Sequence, residues 1–180
     1  MTIDESIVYL EKAGFVGIKT TATPFKIWGG KQMVEDPTFS IWGYVDPFSI
    51  TKEGNSWILR TIGVGQLNIE MAFIIYDEAV IALHDLYLGE LDFTEQSNLV
   101  KALIQSLEAY GYITSFVDNN GYRYALSKSR SPNDGKKWFA ISSKGSFFIL
   151  VAPDVHGLSN IIYCDRQLNH VIDFMTHYTF

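Results

Sequence analysis

The chain is expected to fold as an α+β protein, with antiparallel sheets flanked by helices. Three observations lead there. With 180 residues, 47% of them apolar, it is long enough to bury a sizeable core. Its aromatic content of 14% includes Trp28, Trp42, Trp57 and Trp138, all in runs of β-branched and aromatic residues, and large rings fill helix-on-sheet layers well. Helical periodicity also gives way to strand-like runs twice along the chain, the pattern of helices packed on sheets.

Thr2 and Glu5 have the spacing of a capping box, and Ile3, Ile7 and Leu10 follow at helical intervals, so a first helix is expected over about residues 3–13. Four candidate strands come next, in "KTTATPFKIW", "TFSIWGYV", "SWILRTI" and "QLNIEMAFII", separated by Gly, Pro and Asn clusters. Asp77 is then placed to cap a helix whose Val80, Leu83 and Tyr87 share a stripe.

From Asp92 the pattern restarts. Asp92 or Thr94 is the expected cap of a helix with Leu99, Leu103, Leu107 and Tyr110 on one face. Strands are expected at roughly 112–117, 122–127, 137–142 and 146–152, the first two joined by Asn120-Gly121, a strong signal for a two-residue hairpin turn. A last helix from near Asp165 carries Leu168, Val171, Ile172 and Met175 on one side.

Both halves thus read as helix, four strands, helix, which suggests an internal duplication with units at 1–91 and 92–180, separate or sharing one compact core. Two short matches fit it: "LEKAGF" answers "LEAYGY", and "IIYDEA" answers "IIYCDR". The first copy would carry an extra loop "GGKQMVEDPT", the second an extra loop "PDVHGLSN".

Gly63 and Gly65, in "RTIGVGQLNIE", invite a nucleotide-binding reading. The residues after them oppose it. Leu67, Ile69, Met71 and Phe73 alternate with polar or small residues, so a strand follows where a phosphate-binding helix would have to begin. Asn68 stands where the dinucleotide fingerprint needs its third glycine, and no Lys-Ser/Thr follows for a phosphate loop. The two glycines are expected at a turn.

The inventory of catalytic motifs is short. His170, Asp173 and His177 share one side of the last helix, but that side lies about 140–200° from Leu168, opposite the apolar stripe and facing water. His84 and Asp85 are helix neighbours, expected to point about 100° apart. Cys164 precedes the last helix, whose N-terminus could activate a thiol, though no base is in reach; a small buried residue is the simpler reading. No nucleophile elbow, Cys-x-x-Cys or metal-ligand spacing is present, so the sequence points to no catalytic residue, metal or cofactor, and to no enzyme.

Charge says more. The net charge is −6, and all the excess acid lies in residues 1–90, because residues 91–180 hold equal numbers of acidic and basic side chains. An acidic chain opposes nucleic acid despite the basic stretch "SKSRSPNDGKK". The longest apolar runs, "MAFIIY" and "FFILVA", are far shorter than a membrane span, the acidic start is unlike a secretory leader, and Cys164 is the one cysteine; together these suggest a cytoplasmic protein. The function expected is protein binding without catalysis, toward a basic partner. Glu35, Asp36, Asp46 and Glu53 are its candidate residues, because they fall in expected loops and have no capping role. Bacterial immunity proteins and chaperones of exported proteins share this composition, an analogy of class with no motif behind it. The alternative is a small-ligand binding or sensing domain with an aromatic pocket lined by Trp28, Trp42, Tyr44 and Trp57.

Overall fold

The computed structural model describes residues 1–33, 43–130 and 138–178. Among these residues are four α-helices and twelve strands, all paired antiparallel in three sheets, so the fold is α+β. The chain divides into two compact units, Met1–Ile62 with Asn68–Leu88, and Gly63–Leu67 with Gly89–Phe180.

The first unit opens with α1 (Ile3–Lys12), and the capping box is present: Thr2 Oγ1 accepts from the Glu5 N–H while Glu5 Oε2 accepts from the Thr2 N–H at 2.7 Å. Five strands follow in sheet order, β1 (Val16–Ala22), β2 (Phe25–Gly30), β5 (Phe48–Glu53), β6 (Ser56–Ile62) and β7 (Asn68–Phe73), with the short ribbon β3 (Gln32–Met33) and β4 (Tyr44–Val45) between the second and third. The helix α2 (Tyr76–Leu88) closes the unit. Asp77 lies inside its first turn, one residue past the start.

Side chains alternate across a strand, so cross-strand partners share a face. The row Ile27, Ile50, Leu59 faces the helices and is fully buried with Phe48 and Ile69. Phe15 and Tyr87 seal this layer: Phe15 meets the Phe48 and Tyr87 rings edge-on at 5.2 Å each, and the Tyr87 and Thr61 hydroxyls lie 2.8 Å apart. On the opposite face runs the row Trp28, Ser49, Arg60, Glu70.

The second unit repeats the order in plainer form: α3 (Asn98–Ala109), the sequential meander β8 (Tyr112–Asn119), β9 (Tyr122–Ser129), β10 (Trp138–Lys144), β11 (Phe147–Pro153) and β12 (Ser159–Asp165), then α4 (Leu168–His177). Val100, Leu103 and Leu107 of α3 and Val171, Ile172 and Met175 of α4 cover Ala125, Phe139, Ile141, Phe148 and Leu150. Asn120 and Gly121 both take positive φ, 53° and 85°, as the expected hairpin turn requires.

Several expectations are corrected. Each unit's main sheet has five strands, where four were expected. "KTTATPFKIW" is a hairpin, not one strand, because the chain turns at Thr23-Pro24 between β1 and β2. β5 was read as loop, and most of "TFSIWGYV" lies outside the described residues. Part of the expected loop "PDVHGLSN" is strand, in β11 and β12. Ser97, not Asp92 or Thr94, caps α3, its Oγ accepting from the Val100 N–H at 3.1 Å, while Thr94 donates to Asp92 one turn earlier. Tyr110 leaves the apolar face and is 62% exposed.

Replacing Leu107 by Ala should therefore cost about 2–5 kcal/mol of unfolding free energy, the usual price of a core cavity. Tyr110→Ala should stay within about 0.5 kcal/mol. Urea unfolding of the two variants measures both.

Candidate functional site

The two main sheets differ in what they carry on the face away from their helices. In the first unit that face is charged. Arg60 is held between two carboxylates, with Nη1 2.5 Å from Glu53 Oε1 and Nε 2.7 Å from Glu70 Oε2. The guanidinium keeps the Glu53 carboxyl below its ordinary pKa and is itself raised. Lys26 lies over the Trp28 ring at 5.7 Å.

In the second unit the corresponding face is apolar. One cross-strand row reads Ser115, Leu126, Ala140, Val151, Ile161, and the next reads Ile113, Lys128, Trp138. This face holds a cleft of about 510 Å³ lined by Gly65, Leu67, Tyr122, Tyr124, Leu126, Lys128, Trp138, Ala140, Val151 and Ser159. The Tyr122 and Tyr124 rings lie 5.3 Å apart on one wall. Burial and the neighbouring Tyr124 push the Tyr122 phenol up, so it stays a neutral hydrogen-bonding group at physiological pH.

Backbone geometry shapes the cleft's edges. Gly63–Leu67 is a tight turn between β6 and β7: the Gly63 N–H donates to the Leu67 carbonyl, and Gly65 takes φ 62°. Gly63 and Gly65 thus stand at a turn entering a strand, and Gly65 lies against the Tyr122 hydroxyl. Between β11 and β12, the Asp154 carboxylate accepts from the His156 and Leu158 N–H groups at 2.8 and 2.9 Å, and these bonds lower its pKa. That turn holds Val155 and Leu158 outward, 90% and 65% exposed, and leads into Ser159 at the cleft.

The residues singled out from the sequence have other placements. Glu35, Asp36 and Trp42 lie outside the described residues. Asp46 is half-buried in the turn before β5, and its charge acts on Lys31. Glu53 was expected in a loop but closes β5, bound to Arg60. The six-residue strand between them puts Asp46 and Glu53 about 20 Å apart, at opposite ends of β5.

Of the aromatics expected around a pocket, Tyr44 is buried against the backbone of Gly17, to whose carbonyl its hydroxyl donates at 2.8 Å; a Cβ on Gly17 would sit 2.7 Å from the Tyr44 ring. Trp57 packs on Phe25 and Tyr76 at 5.1 and 4.8 Å. The aromatic cleft is instead in the second unit, where the sequence signal was Tyr122, Tyr124, Leu126 at period two followed by Trp138 on the next strand.

His170, Asp173 and His177 are exposed as the helical geometry required. His84 and Asp85 do meet, with Nδ1 3.1 Å from Oδ1, and the His84 ring stacks on Tyr9 at 4.5 Å. Among the described residues, no group of three or more His, Cys, Asp or Glu is placed to hold a metal ion, and no helix is long and apolar enough to cross a membrane.

Cys164 lies within β12 beside Ile149, not at a helix start, and burial pushes its thiol up to about 12. The protonated form is favoured in the folded state, so any stability it contributes is full below about 9 and is lost as pH rises through about 12. Alkylation by iodoacetamide at pH 8 should be slower than in the urea-unfolded chain by roughly three orders of magnitude, following the thiolate fractions. Mass spectrometry over a time course measures this.

Compared with protein-family models, curated proteins and solved structures, the chain finds no match in any of the three.

Proposed function

We propose that the chain is a non-catalytic binding protein and that its second unit holds a small ligand in the cleft between Tyr122, Tyr124 and Trp138. The observation that carries this reading is the apolar row Leu126, Ala140, Val151 on the sheet face away from α3 and α4, flanked by three aromatic rings. A volume of about 510 Å³ lies within the usual range for small-molecule sites, which are mostly apolar with a few placed polar groups. Here the polar groups are the Tyr122 and Tyr124 hydroxyls, Ser159 and Lys128.

An uncharged fluorescent probe, N-phenyl-1-naphthylamine, should bind with micromolar affinity and one-site stoichiometry. Ser159 is exposed, so Ser159→Trp should fill the cleft without moving the urea midpoint and should weaken probe binding at least tenfold. Probe affinity unaffected by Ser159→Trp would place the binding elsewhere and defeat the proposal.

A second reading, docking of a basic protein on the acidic first half, is favoured by the concentration of excess acid in residues 1–90. Replacing Glu35, Asp36, Asp46 and Glu53 by their amides should slow association with such a partner roughly tenfold and flatten its salt dependence. Glu53 should contribute little to that effect, because Arg60 already engages it. Stopped-flow association at two ionic strengths measures it.

We also infer that the two units descend from one duplicated helix–sheet–helix unit. Support comes from the shared element order and from the helix ends, where Gly14 and Gly111 follow α1 and α3 with φ of 82° and 86°, each after a fully buried leucine at position 10 or 107. The other short match weakens it: Ile74 and Ile75 lie between β7 and α2, whereas Ile161 and Ile162 are inside β12.

A further inference from the structure

We infer that the cleft's ligand is an amphipathic anion, with a flat apolar or aromatic body and one acidic group directed at Lys128. This rests on the proposal that the cleft binds a small ligand, and it adds the ligand's charge.

Among the described residues, Lys128 is the one charged residue that lines the cleft, and it is exposed. It shares a cross-strand row with Trp138 on one side and Ile113, itself 61% exposed, on the other. An ammonium so placed stands at the edge of an apolar wall, where an acidic group can reach it while the ligand's body stays out of water. The adjoining recess offers no such charge. It is lined by Arg123 and Glu90 together, and Arg123 Nε is already bonded to Asp118 at 2.9 Å. Among the described residues no carboxylate lines the cleft, so none of them would offset the repulsion between Lys128 and a cationic ligand.

The body of the ligand follows from the walls. Tyr122, Tyr124 and Trp138 line the same space as Ala140 and Val151, whose short side chains leave room for a planar group. The tyrosine hydroxyls and Ser159 can donate to an acceptor on the same ligand. Aromatic and branched carboxylates, sulfonates and phosphate monoesters share this chemistry.

Two probes with nearly the same body separate charge from shape: 1-anilinonaphthalene-8-sulfonate, which is anionic, and N-phenyl-1-naphthylamine, which is not. Fluorescence titration of the full chain at low salt should give an affinity for the anion roughly fivefold above that for the neutral probe, as expected for a partly exposed charge pair. Raising the salt should erode that preference. Lys128→Gln should abolish it by weakening the anion's binding far more than the neutral probe's, with the urea midpoint unchanged, and Lys128→Arg should keep it. Equal affinity for both probes, or a preference that survives Lys128→Gln, overturns the anion assignment and leaves the cleft reading standing. Failure of both probes to bind, or anion binding that persists in Ser159→Trp, overturns both together.

Discussion

A five-stranded antiparallel sheet has two faces, and in each unit two helices cover only one of them. Everything distinctive about this protein follows from how the other face is finished. In the first unit the solution is polar: Arg60 draws Glu53 and Glu70 over the sheet, and Trp28 lies under Lys26. Such groups lose little by staying in contact with water. In the second unit the face away from the helices carries Leu126, Ala140, Val151 and three aromatic rings. The two sheets thus differ in the chemistry of the face turned away from their helices.

The helices were legible in the sequence because each signals itself locally. The Thr2–Glu5 box and the stripes of Leu103 with Leu107 and of Val171 with Met175 needed no tertiary information. Tight turns were legible for the same reason: Asn120-Gly121 and Gly63–Leu67 carry residues that tolerate positive φ. The strand count was not. β5 has Phe48 and Ile50 on its core side, but Ser49 is buried as well, so the polar half of its alternation did not mark a solvent face. β12 was hidden because a bulge at Ile162 breaks its alternation and its start resembles a loop.

The site was harder to read than the fold, and for a physical reason. A cleft on a sheet face is assembled from every second residue of several strands, so none of its residues are neighbours in sequence. Tyr122, Tyr124 and Leu126 alternate as any strand would, and only the register that sets Lys128 beside Trp138 turns them into a wall. "FFILVA" held a further clue: six consecutive apolar residues in an antiparallel strand mean that both of its faces are buried, as they are along β11. Loop carboxylates suggested a docking surface because charge is visible in sequence, whereas the pairing of Glu53 with Arg60 depends on two strands being adjacent.

The turn from Asp154 to Leu158 divides its labour cleanly. Its shape is set by one carboxylate, by Gly157, which takes φ 80°, and by backbone groups, including the Leu158 carbonyl that accepts from the Asp154 N–H; no side-chain atom of Val155, His156 or Leu158 takes part in these bonds. Those three side chains are therefore free to change without disturbing β11 or β12, at the entrance to Ser159 and the cleft. A mutational walk through them alters what the rim presents while the scaffold stays constant, so the rim's chemistry can be varied in the laboratory independently of the fold that carries it.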